Sequence, residues 1–150
     1  MNKTTESLAN NEAARLEAGI RGYAEEDVTP ERTAISMGSG GLAVYATPRM
    51  TCMMEYTAWA SVEPYLSEGK GTVGTRLDVS HVSASPVGAR IRYESELTGI
   101  EGRKLVFSVE AYDEAGLIGK GTHERFIIDN QRFMDKVRTK TGQANGGENE

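Results

Sequence analysis

Hydrophobic and polar residues alternate along much of the second half of the chain, and this period of two is typical of half-buried β-strands. The alternation covers four segments, which are residues 76–81, 90–97, 105–111 and 117–128. Glu101-Gly102 and Asp113–Gly116 carry the residues that favour tight turns between the last three segments. We therefore expect four strands joined by hairpin-like turns, followed by a short helix over Gln131–Val137.

A different pattern occupies residues 50–62, where Glu55 is the only charged residue among thirteen. Because apolar residues fall on every side of the helical wheel, this segment predicts a helix that is buried all round. Thr47 and Pro48 match an N-cap followed by proline at the first helical position. Before it, Arg32–Met37 is expected to be a strand and Gly38–Gly41 a loop.

The order of one strand, a buried helix and four further strands indicates an α+β fold with one antiparallel sheet curled round a long central helix. A single small sheet cannot cover every face of that helix, so a second copy of the chain is the simplest cover, which predicts a homodimer. We expect the folded domain over residues 23–138. A polar and possibly helical N-terminal arm (1–22) precedes it, and a disordered, Gly-rich C-terminal tail (139–150) follows it.

Composition narrows the possible functions of this single domain of 150 residues. Its net charge of −5 argues against a nucleic-acid partner, which would need a basic surface. No apolar run could cross a membrane, and the N-terminus lacks the apolar region of a secretory signal, so we expect a cytoplasmic protein without a membrane partner. The lone Cys52 is expected to be a small buried hydrophobe. Motifs for metal or nucleoside triphosphate binding are missing, so no metal is expected.

Glu55 and His81 are the first candidates for chemistry. A carboxylate inside an apolar helix loses its hydration and needs a partner to stay charged, and such carboxylates are more frequent at working sites than on scaffolds. His81 lies on the apolar side of its predicted strand, the side that should face the helix. If both side chains point into the same helix–sheet interface, they could orient water or activate a nucleophile. The alternatives are a solvated or Arg-neutralised Glu55 and a purely structural His81.

Three further residues have both a structural and a functional interpretation. Thr47 is either a helix cap or a hydroxyl that serves a site at a helix N-terminus. Eight residues of helix span about 12 Å, so Thr47 and Glu55 reach one atom only if Thr47 lies in a folded-back loop or two subunits share the site. Gly74 is either a bulge or a close approach to a ligand carbonyl. Arg125 is either a surface ion-pair partner or the holder of an anion, and His123 is given no role.

Three segments carry a family resemblance: Tyr45–Leu66, Gly71–Ile91 and Glu101–Asp129. Their specific features are ATP at the start of the helix, a Glu eight positions after its Thr, VGT with a His seven residues past the Gly, SPVG, and GTHERF. In this combination the chain resembles hot-dog-fold acyl-CoA thioesterases, in particular the group typified by fluoroacetyl-CoA thioesterase.

The resemblance implies a homodimer that hydrolyses an acyl-CoA thioester at the subunit interface, with no cofactor beyond the CoA of the substrate. It implies catalytic roles for Thr47, Glu55 and His81, with Glu55 as nucleophile or general base, and substrate-binding roles for Gly74 and Arg125. The family's acyl pocket is closed by a lid. The matching segment here reads MGSGGLAVY without Phe, so the acyl group stays open. The alternatives are a hot-dog hydratase or dehydratase on acyl thioesters and a non-catalytic acyl-CoA binding module.

Overall fold

The structure is a computed structural model, and it describes residues 15–142. Within that range the chain forms five β-strands and three α-helices. In chain order these are β1 (Arg21–Asp27), α1 (Ala34–Met37), α2 (Thr47–Val62), β2 (Lys70–His81), β3 (Arg90–Glu101), β4 (Lys104–Asp113), β5 (Gly116–Asp129) and α3 (Asn130–Lys140).

The five strands form one antiparallel sheet in the order β1-β3-β4-β5-β2. The four predicted strands, the two turns that join the last three of them and the closing helix are confirmed, with boundaries extended by a few residues. Within the described part of the chain, β2 pairs only with β5, so the outer edge of this twelve-residue strand is unpaired. Such an edge is a template for pairing with another chain.

Helix α2 packs across the inner face of the sheet and forms the core with it. The helix buries one row of side chains spaced four residues apart, Met50, Met54, Ala58 and Val62. The sheet contributes alternate residues of its central strands to the same core, including Ile91, Tyr93, Leu97, Leu105 and Phe107. This is the architecture that the pattern predicts, a curled antiparallel sheet round one long helix.

The predicted strand over Arg32–Met37 is wrong, because this segment is a 3-10 turn at Pro30–Arg32 followed by the single turn of α1. Thr33 caps α1 by accepting a hydrogen bond from the Ser36 N–H. The first strand lies earlier, at Arg21–Asp27, and the hydrophobic pattern missed it for a physical reason. Its inward positions are filled by small or polar residues, while Tyr23 points outward and is 66% exposed.

The ends of the predicted domain also differ in detail from the structure. Strand β1 starts at Arg21, two residues before the expected start of the domain, and Leu16 and Ile20 pack against the core. At the other end α3 continues to Lys140, into the segment predicted as tail. The remainder of both predicted terminal segments, 1–14 and 143–150, lies outside the described residues.

Helix α2 is not enclosed on every side within one protomer, which corrects the prediction of a helix buried all round. Its second face carries Cys52, Tyr56 and Trp59, and all three are exposed. The expectation that Cys52 is buried is therefore wrong for the single chain. Trp59 borders residues 71–73 at the start of β2, so the open face of α2 lies beside the unpaired edge of β2.

Candidate active site

The first half of the site lies at the N-terminus of α2. Thr47 is the first residue of the helix and Ala46 is its N-cap, so the prediction that Thr47 caps the helix is wrong. The Thr47 hydroxyl is instead 2.7 Å from Nδ1 of His81, the last residue of β2. A hydroxyl held by an imidazole is an arrangement suited to proton exchange.

The surroundings of His81 favour the neutral form of its imidazole, which can accept or donate a proton. Burial lowers the pKa of its imidazole, and the backbone of Ser83 opposes this only partly. Its second ring nitrogen, Nε2, is buried and has no hydrogen-bond partner among the described residues. A buried polar atom without a partner is costly unless something completes it, and a substrate or a second protomer could do so.

A cavity of about 280 Å³ opens directly beside this pair. Thr47 and His81 line it on one side, and the remaining wall is built from Ala34, Ser39, Val44, Tyr45, Val82, Ser83 and Ala84. The segment that the resemblance identifies as a lid, Met37–Tyr45, contributes Ser39, Val44 and Tyr45 to this wall. The cavity therefore connects the two candidate reactive groups to a chamber whose other walls mix apolar and hydroxyl-bearing side chains.

The second half of the site lies in the middle of α2. Glu55 faces β5 across the helix–sheet boundary, and its Oε2 atom lies 4.0 Å from Nη1 of Arg125. The Glu55 side chain is 44% exposed, so the expectation of a carboxylate walled in by apolar groups is wrong within one protomer. Arg125 is the cation nearest to the Glu55 carboxylate, at 4.0 Å. The carboxylate is accessible to solvent on the same side as the exposed face of α2.

Arg125 is buried, which excludes the interpretation of a surface ion pair. Its guanidinium donates to the Thr72 hydroxyl at 2.8 Å and to the Thr72 carbonyl at 2.9 Å. Burial lowers its pKa, and the nearby charge of Glu55 opposes that effect. An arginine fixed in this way keeps one edge of its guanidinium directed at the carboxylate.

His123 is the functional candidate that the sequence reasoning missed. Its Nδ1 lies 2.7 Å from the Arg76 carbonyl oxygen, and its Nε2 lies 3.1 Å from Arg125 Nη1. A carbonyl only accepts and a guanidinium only donates, so His123 is neutral with its proton on Nδ1. Burial lowers its pKa, which agrees with this state. Its place two residues before Arg125 on the same strand face was the available signal.

Gly74 belongs to this second half because its lack of a side chain leaves space for the neighbouring residues. A Cβ atom at this position would lie 2.9 Å from Glu55 Oε2, 3.2 Å from His123 Cε1 and 3.3 Å from Arg125 Nη1. The β2–β5 register also shifts between Gly74 and Arg76, so the bulge interpretation holds, while the close approach to a ligand carbonyl stays a prediction. Only glycine leaves room for the acid, the imidazole and the guanidinium to meet here.

The two halves do not meet within one protomer. In the described part of the chain, no hydrogen bond or ion pair connects the Thr47–His81 pair with the Glu55–Arg125 pair. Thr47 and Glu55 are separated by eight residues of one continuous helix, about 12 Å of rise. Gly74 and His81 are seven residues apart on β2, about 23 Å along the strand. The expectation that Glu55 and His81 share one chamber is therefore wrong for a single chain.

A second acid–arginine pair on α2 supports its N-terminus and was also missed. Glu26 of β1 accepts hydrogen bonds from Arg49 and from the Tyr45 hydroxyl, which in turn contacts the Tyr93 hydroxyl. Burial alone would raise the pKa of Glu26, but the bonds from Arg49 and Tyr45 hold it below its usual value. The network fixes the segment that leads into Thr47.

Among residues 15–142, no cluster of three or more His, Cys, Asp or Glu side chains is arranged to bind a metal ion. In the same range the helices are too short or too polar to cross a membrane.

Comparison with known proteins places the geometry in context. The sequence pattern of a family described as fluoroacetyl-CoA-specific thioesterase matches residues 28–131. A fluoroacetyl-CoA thioesterase from Streptantibioticus cattleyicolor is 42% identical over 98 residues, which cover 65% of this chain and 70% of that protein.

Solved structures give the same result. The structure of the fluoroacetyl-CoA thioesterase FlK superimposes with a TM-score of 0.78 at 34% identity and covers 83% of this chain and 97% of that one. A thioesterase-superfamily protein from Thermus thermophilus has a TM-score of 0.76 at 31% identity, covering 81% and 90%. A hot-dog-like protein from Thermanaerovibrio acidaminovorans, at 20% identity and a TM-score of 0.78 over 85% and 94%, shares the fold.

Proposed function

The chain belongs to the family of fluoroacetyl-CoA-specific thioesterases, and from this premise we propose that it hydrolyses an acyl-CoA thioester at a site shared by two protomers. One protomer supplies Thr47 and His81, and its partner supplies Glu55, Gly74 and Arg125. The observation that carries this proposal is that Thr47 and Glu55 lie at different places on one continuous helix, each with its own partner. The Thr47–His81 pair and the Glu55–Arg125 pair therefore do not meet in one chain. Each group holds part of the machinery for acyl transfer and neither holds all of it.

The continuity of α2 favours one of the two ways in which Thr47 and Glu55 could act together. A folded-back loop would allow both to reach one atom in a single chain, but Thr47 is the first residue of the helix itself. The remaining way is a second copy whose α2 runs antiparallel to the first. In that arrangement, the Glu55 region of one helix lies beside the Thr47 end of the other.

The free edge of β2 supplies a route to such a dimer. Antiparallel pairing of β2 with its own copy buries two unpaired edges and covers the exposed Tyr56 and Trp59 of both helices. Such pairing would bring the carboxylate of one chain towards the unpartnered Nε2 of the other and withdraw it from solvent.

The chemistry then follows from the groups available. Glu55 drives attack on the thioester carbonyl, either as the nucleophile or by taking a proton from water. His81, relayed by the Thr47 hydroxyl, exchanges protons, and the backbone N–H of Gly74 donates to the developing oxyanion. Net hydrolysis adds the oxygen of water to the acyl carbon, breaks the C–S bond and returns a proton to the CoA thiolate. Arg125 and His123 position the carboxylate.

The 280 Å³ cavity beside Thr47 and His81 is the proposed acyl chamber. Its wall contains alanine, serine, valine and Tyr45 but no phenylalanine. The lid segment is Gly-rich, so the chamber leaves room for acyl groups larger than a two-carbon unit. The acyl group is therefore the property to be measured first.

The experiment is a thiol-release assay with the purified protein on a panel of short, branched and aryl acyl-CoAs. We expect release of free CoA with at least one acyl group, and equimolar free acid. Addition of water to an enoyl-CoA without thiol release would instead indicate a hydratase. Saturable binding without turnover of any member would indicate a binding module, and either result would overturn the proposal.

The assay is repeated with His81→Ala and with a matched control. Removing the imidazole should lower kcat by about 10²-fold or more, because general acid–base groups contribute two to four orders of magnitude. His81→Ala should keep the fold, since the contacts of the ring among the described residues are local, with the Thr47 hydroxyl and the Ser83 backbone. The control is Glu68→Gln, an exposed residue outside both groups, which should retain full turnover.

A further inference from the structure

We propose that Glu26 is a positioning residue for the reaction, because its carboxylate fixes the end of α2 from which Thr47 reaches His81. The inference rests on the proposed function, since it concerns one of the two proposed reactive groups. Glu26 lies on β1, at the opposite edge of the sheet from His81 on β2. In the part of the chain that the structure describes, it forms no hydrogen bond with Thr47 or His81, so it acts through the helix.

One carboxylate holds the chain on both sides of Thr47. Tyr45 lies two residues before Thr47 and donates a hydrogen bond from its hydroxyl to Glu26. Arg49 lies two residues after Thr47 and donates to the same carboxylate from Nε at 2.9 Å and from a second guanidinium nitrogen. The two ends of the segment 45–49 are thereby fixed to one point on β1.

The N-terminus of α2 needs this support because it lacks the usual cap. The N-cap residue is Ala46, which has no side-chain oxygen to offer to the free N–H groups of the first turn. Helix ends of this kind fray more readily than capped ones. Thr47 is exposed within one protomer, so packing of its own side chain does not hold it in place. Its hydroxyl is directed to His81 instead.

The hydrogen bonds of Glu26 also fix the rotation of α2 about its axis. Successive residues of an α-helix are turned by about 100°, so Thr47 and Arg49 project about 200° apart, towards different sides of the helix. Arg49 is bound to β1 and Thr47 to the end of β2, and these strands form the two edges of the sheet. A helix that is held at one edge through Arg49 therefore presents Thr47 to His81 at the other.

Stability alone does not account for an acid at this position. The Glu26 side chain is 6% exposed, and removing a carboxylate from water costs free energy that an ion pair repays only with good geometry. Apolar residues of similar volume are often as stable in such a place. Hydrogen bonds are directional, whereas apolar contacts are not, so the pair of Glu26 with Arg49 adds a fixed orientation. Thr47 and His81 need that orientation, because their side chains meet at 2.7 Å.

The test is a double-mutant cycle of Glu26→Gln and Thr47→Ala, with kcat and KM measured on an acyl-CoA that the unsubstituted protein hydrolyses. For Glu26→Gln we expect kcat to fall about tenfold and KM to change less than about twofold, since a displaced reactive group mainly affects the chemical step. In the Thr47→Ala background no hydroxyl remains to be positioned. Adding Glu26→Gln there should lower kcat by less than a further factor of about two.

The control is Val62→Ala at the last residue of α2. Val62 is buried at 0% exposure, so its truncation leaves a cavity and destabilises the fold without touching the network at the other end of the helix. Its kcat should stay within about twofold of the unsubstituted protein, because the two sites are distant. A kcat for Glu26→Gln no lower than that of Val62→Ala, or an equal loss in the Thr47→Ala background, would show that Glu26 serves stability only.

Tyr45→Phe repeats the cycle with a smaller change, which keeps the proposal testable if Glu26→Gln does not fold. The ring stays in place and one of the two connections to Glu26 is lost. We expect kcat to fall about threefold, and again no further loss in the Thr47→Ala background. The same threefold loss in both backgrounds would contradict an action through Thr47.

A measurement without substrate separates this inference from the proposed function. The amides of Arg49 and Met50 both donate to the Ala46 carbonyl, so their native-state hydrogen exchange reports the opening of the first turn of α2. Glu26→Gln should lower their protection about tenfold relative to Val62→Ala. Equal protection in the two variants would overturn the proposal. Failure of the unsubstituted protein to release thiol from any acyl-CoA would count against the proposed function instead.

Discussion

Helix α2 contributes one residue to each of two acid–arginine pairs, and the pairs differ in almost every physical respect. Near its N-terminal end, Arg49 donates hydrogen bonds to the carboxylate of Glu26. The Glu26 side chain is 6% exposed and also accepts a hydrogen bond from the Tyr45 hydroxyl. Six residues further along, Glu55 lies 4.0 Å from Arg125 and is 44% exposed. The first pair is closed and fully hydrogen-bonded, as a structural pair must be. The second is loose and open on the side where we propose that substrate and partner approach.

The comparison teaches that the arginine, rather than the acid, is the fixed member of the second pair. Arg125 is held by two hydrogen bonds from its guanidinium to Thr72, while Glu55 accepts no hydrogen bond from any described residue. A carboxylate that is oriented by a cation but not occupied by it keeps its oxygens free for chemistry. Glu26 has no such freedom, because Arg49 and Tyr45 use its oxygens.

The largest predicted effect breaks the open pair. Glu55→Gln keeps the size of the side chain but removes the charge, and we expect kcat for acyl-CoA hydrolysis to fall about 10³-fold. The free energy of unfolding should change little, since the exposed carboxylate contributes little to the fold. Steady-state thiol release and chemical denaturation measure the two quantities. Turnover within a fewfold of the unsubstituted enzyme would remove Glu55 from the mechanism.

The next effect breaks the closed pair and should reverse the outcome. Glu26→Gln leaves Arg49 without its counter-charge, and we expect a loss of about 3 kcal/mol in the free energy of unfolding. Its kcat loss, measured on the folded protein, should be much smaller than that of Glu55→Gln.

Glu25→Gln is the neighbouring control for this loss of stability. Glu25 forms an exposed ion pair with Arg90 at 2.9 Å, so its loss should cost less than about 1 kcal/mol. Equal destabilisation by the two variants would contradict the distinction between a closed and an open ion pair.

A smaller effect probes the room that Gly74 leaves around the open pair. Gly74→Ala places a methyl group 2.9 Å from Glu55 Oε2, so the carboxylate must move, and we expect kcat to fall about tenfold. The matched control is Gly99→Ala on β3, where the nearest atom to the new Cβ lies 4.0 Å away. Similar kinetics for both alanine variants would show that close packing at Gly74 has no role in turnover.

The smallest effect concerns pH. Burial lowers the pKa of His81 and of His123, so below about 6.5 the unfolded chain binds protons that the folded chain excludes. The free energy of unfolding should therefore fall as the pH drops below that value. Glu26 adds a separate loss at lower pH, as it is protonated below its usual value of 4.5. Denaturation curves for Glu26→Gln should show a smaller second decline, because other carboxyl groups with a lowered pKa, such as Asp113, remain. A decline as large as that of the unsubstituted protein would assign it to those groups instead.

How much of this could be predicted from sequence differs between the fold and the site. The alternating segments predicted β2 to β5 because their inward residues are large and apolar, such as Leu97, Leu105 and Phe107. The same reasoning failed at β1, where Gly22 packs so tightly that a Cβ would lie 2.6 Å from the Thr57 carbonyl. A hydrophobic pattern detects large apolar residues, so it cannot detect an inward position such as Gly22, where the neighbours leave no room for a side chain.

The site shows a related limit. The sequence analysis named five site residues, Thr47, Glu55, Gly74, His81 and Arg125. The structure places them in two groups rather than one: Thr47 with His81, and Glu55 with Gly74 and Arg125. Sequence could not show this, since the apolar pattern of α2 does not say whether a face meets its own sheet or another protomer. His123 and Glu26 were missed because their partners, Arg76 and Arg49, are distant in sequence.

The sharing of the site between protomers is the central claim, and subunit complementation tests it most directly. Glu55→Gln and His81→Ala chains are co-expressed with different affinity tags, and the heterodimer is isolated by two successive purifications. We predict that each inactive homodimer stays inactive, whereas the heterodimer regains about half the activity of the unsubstituted dimer, because one of its two sites receives both intact residues. A heterodimer as inactive as its parents would contradict the account.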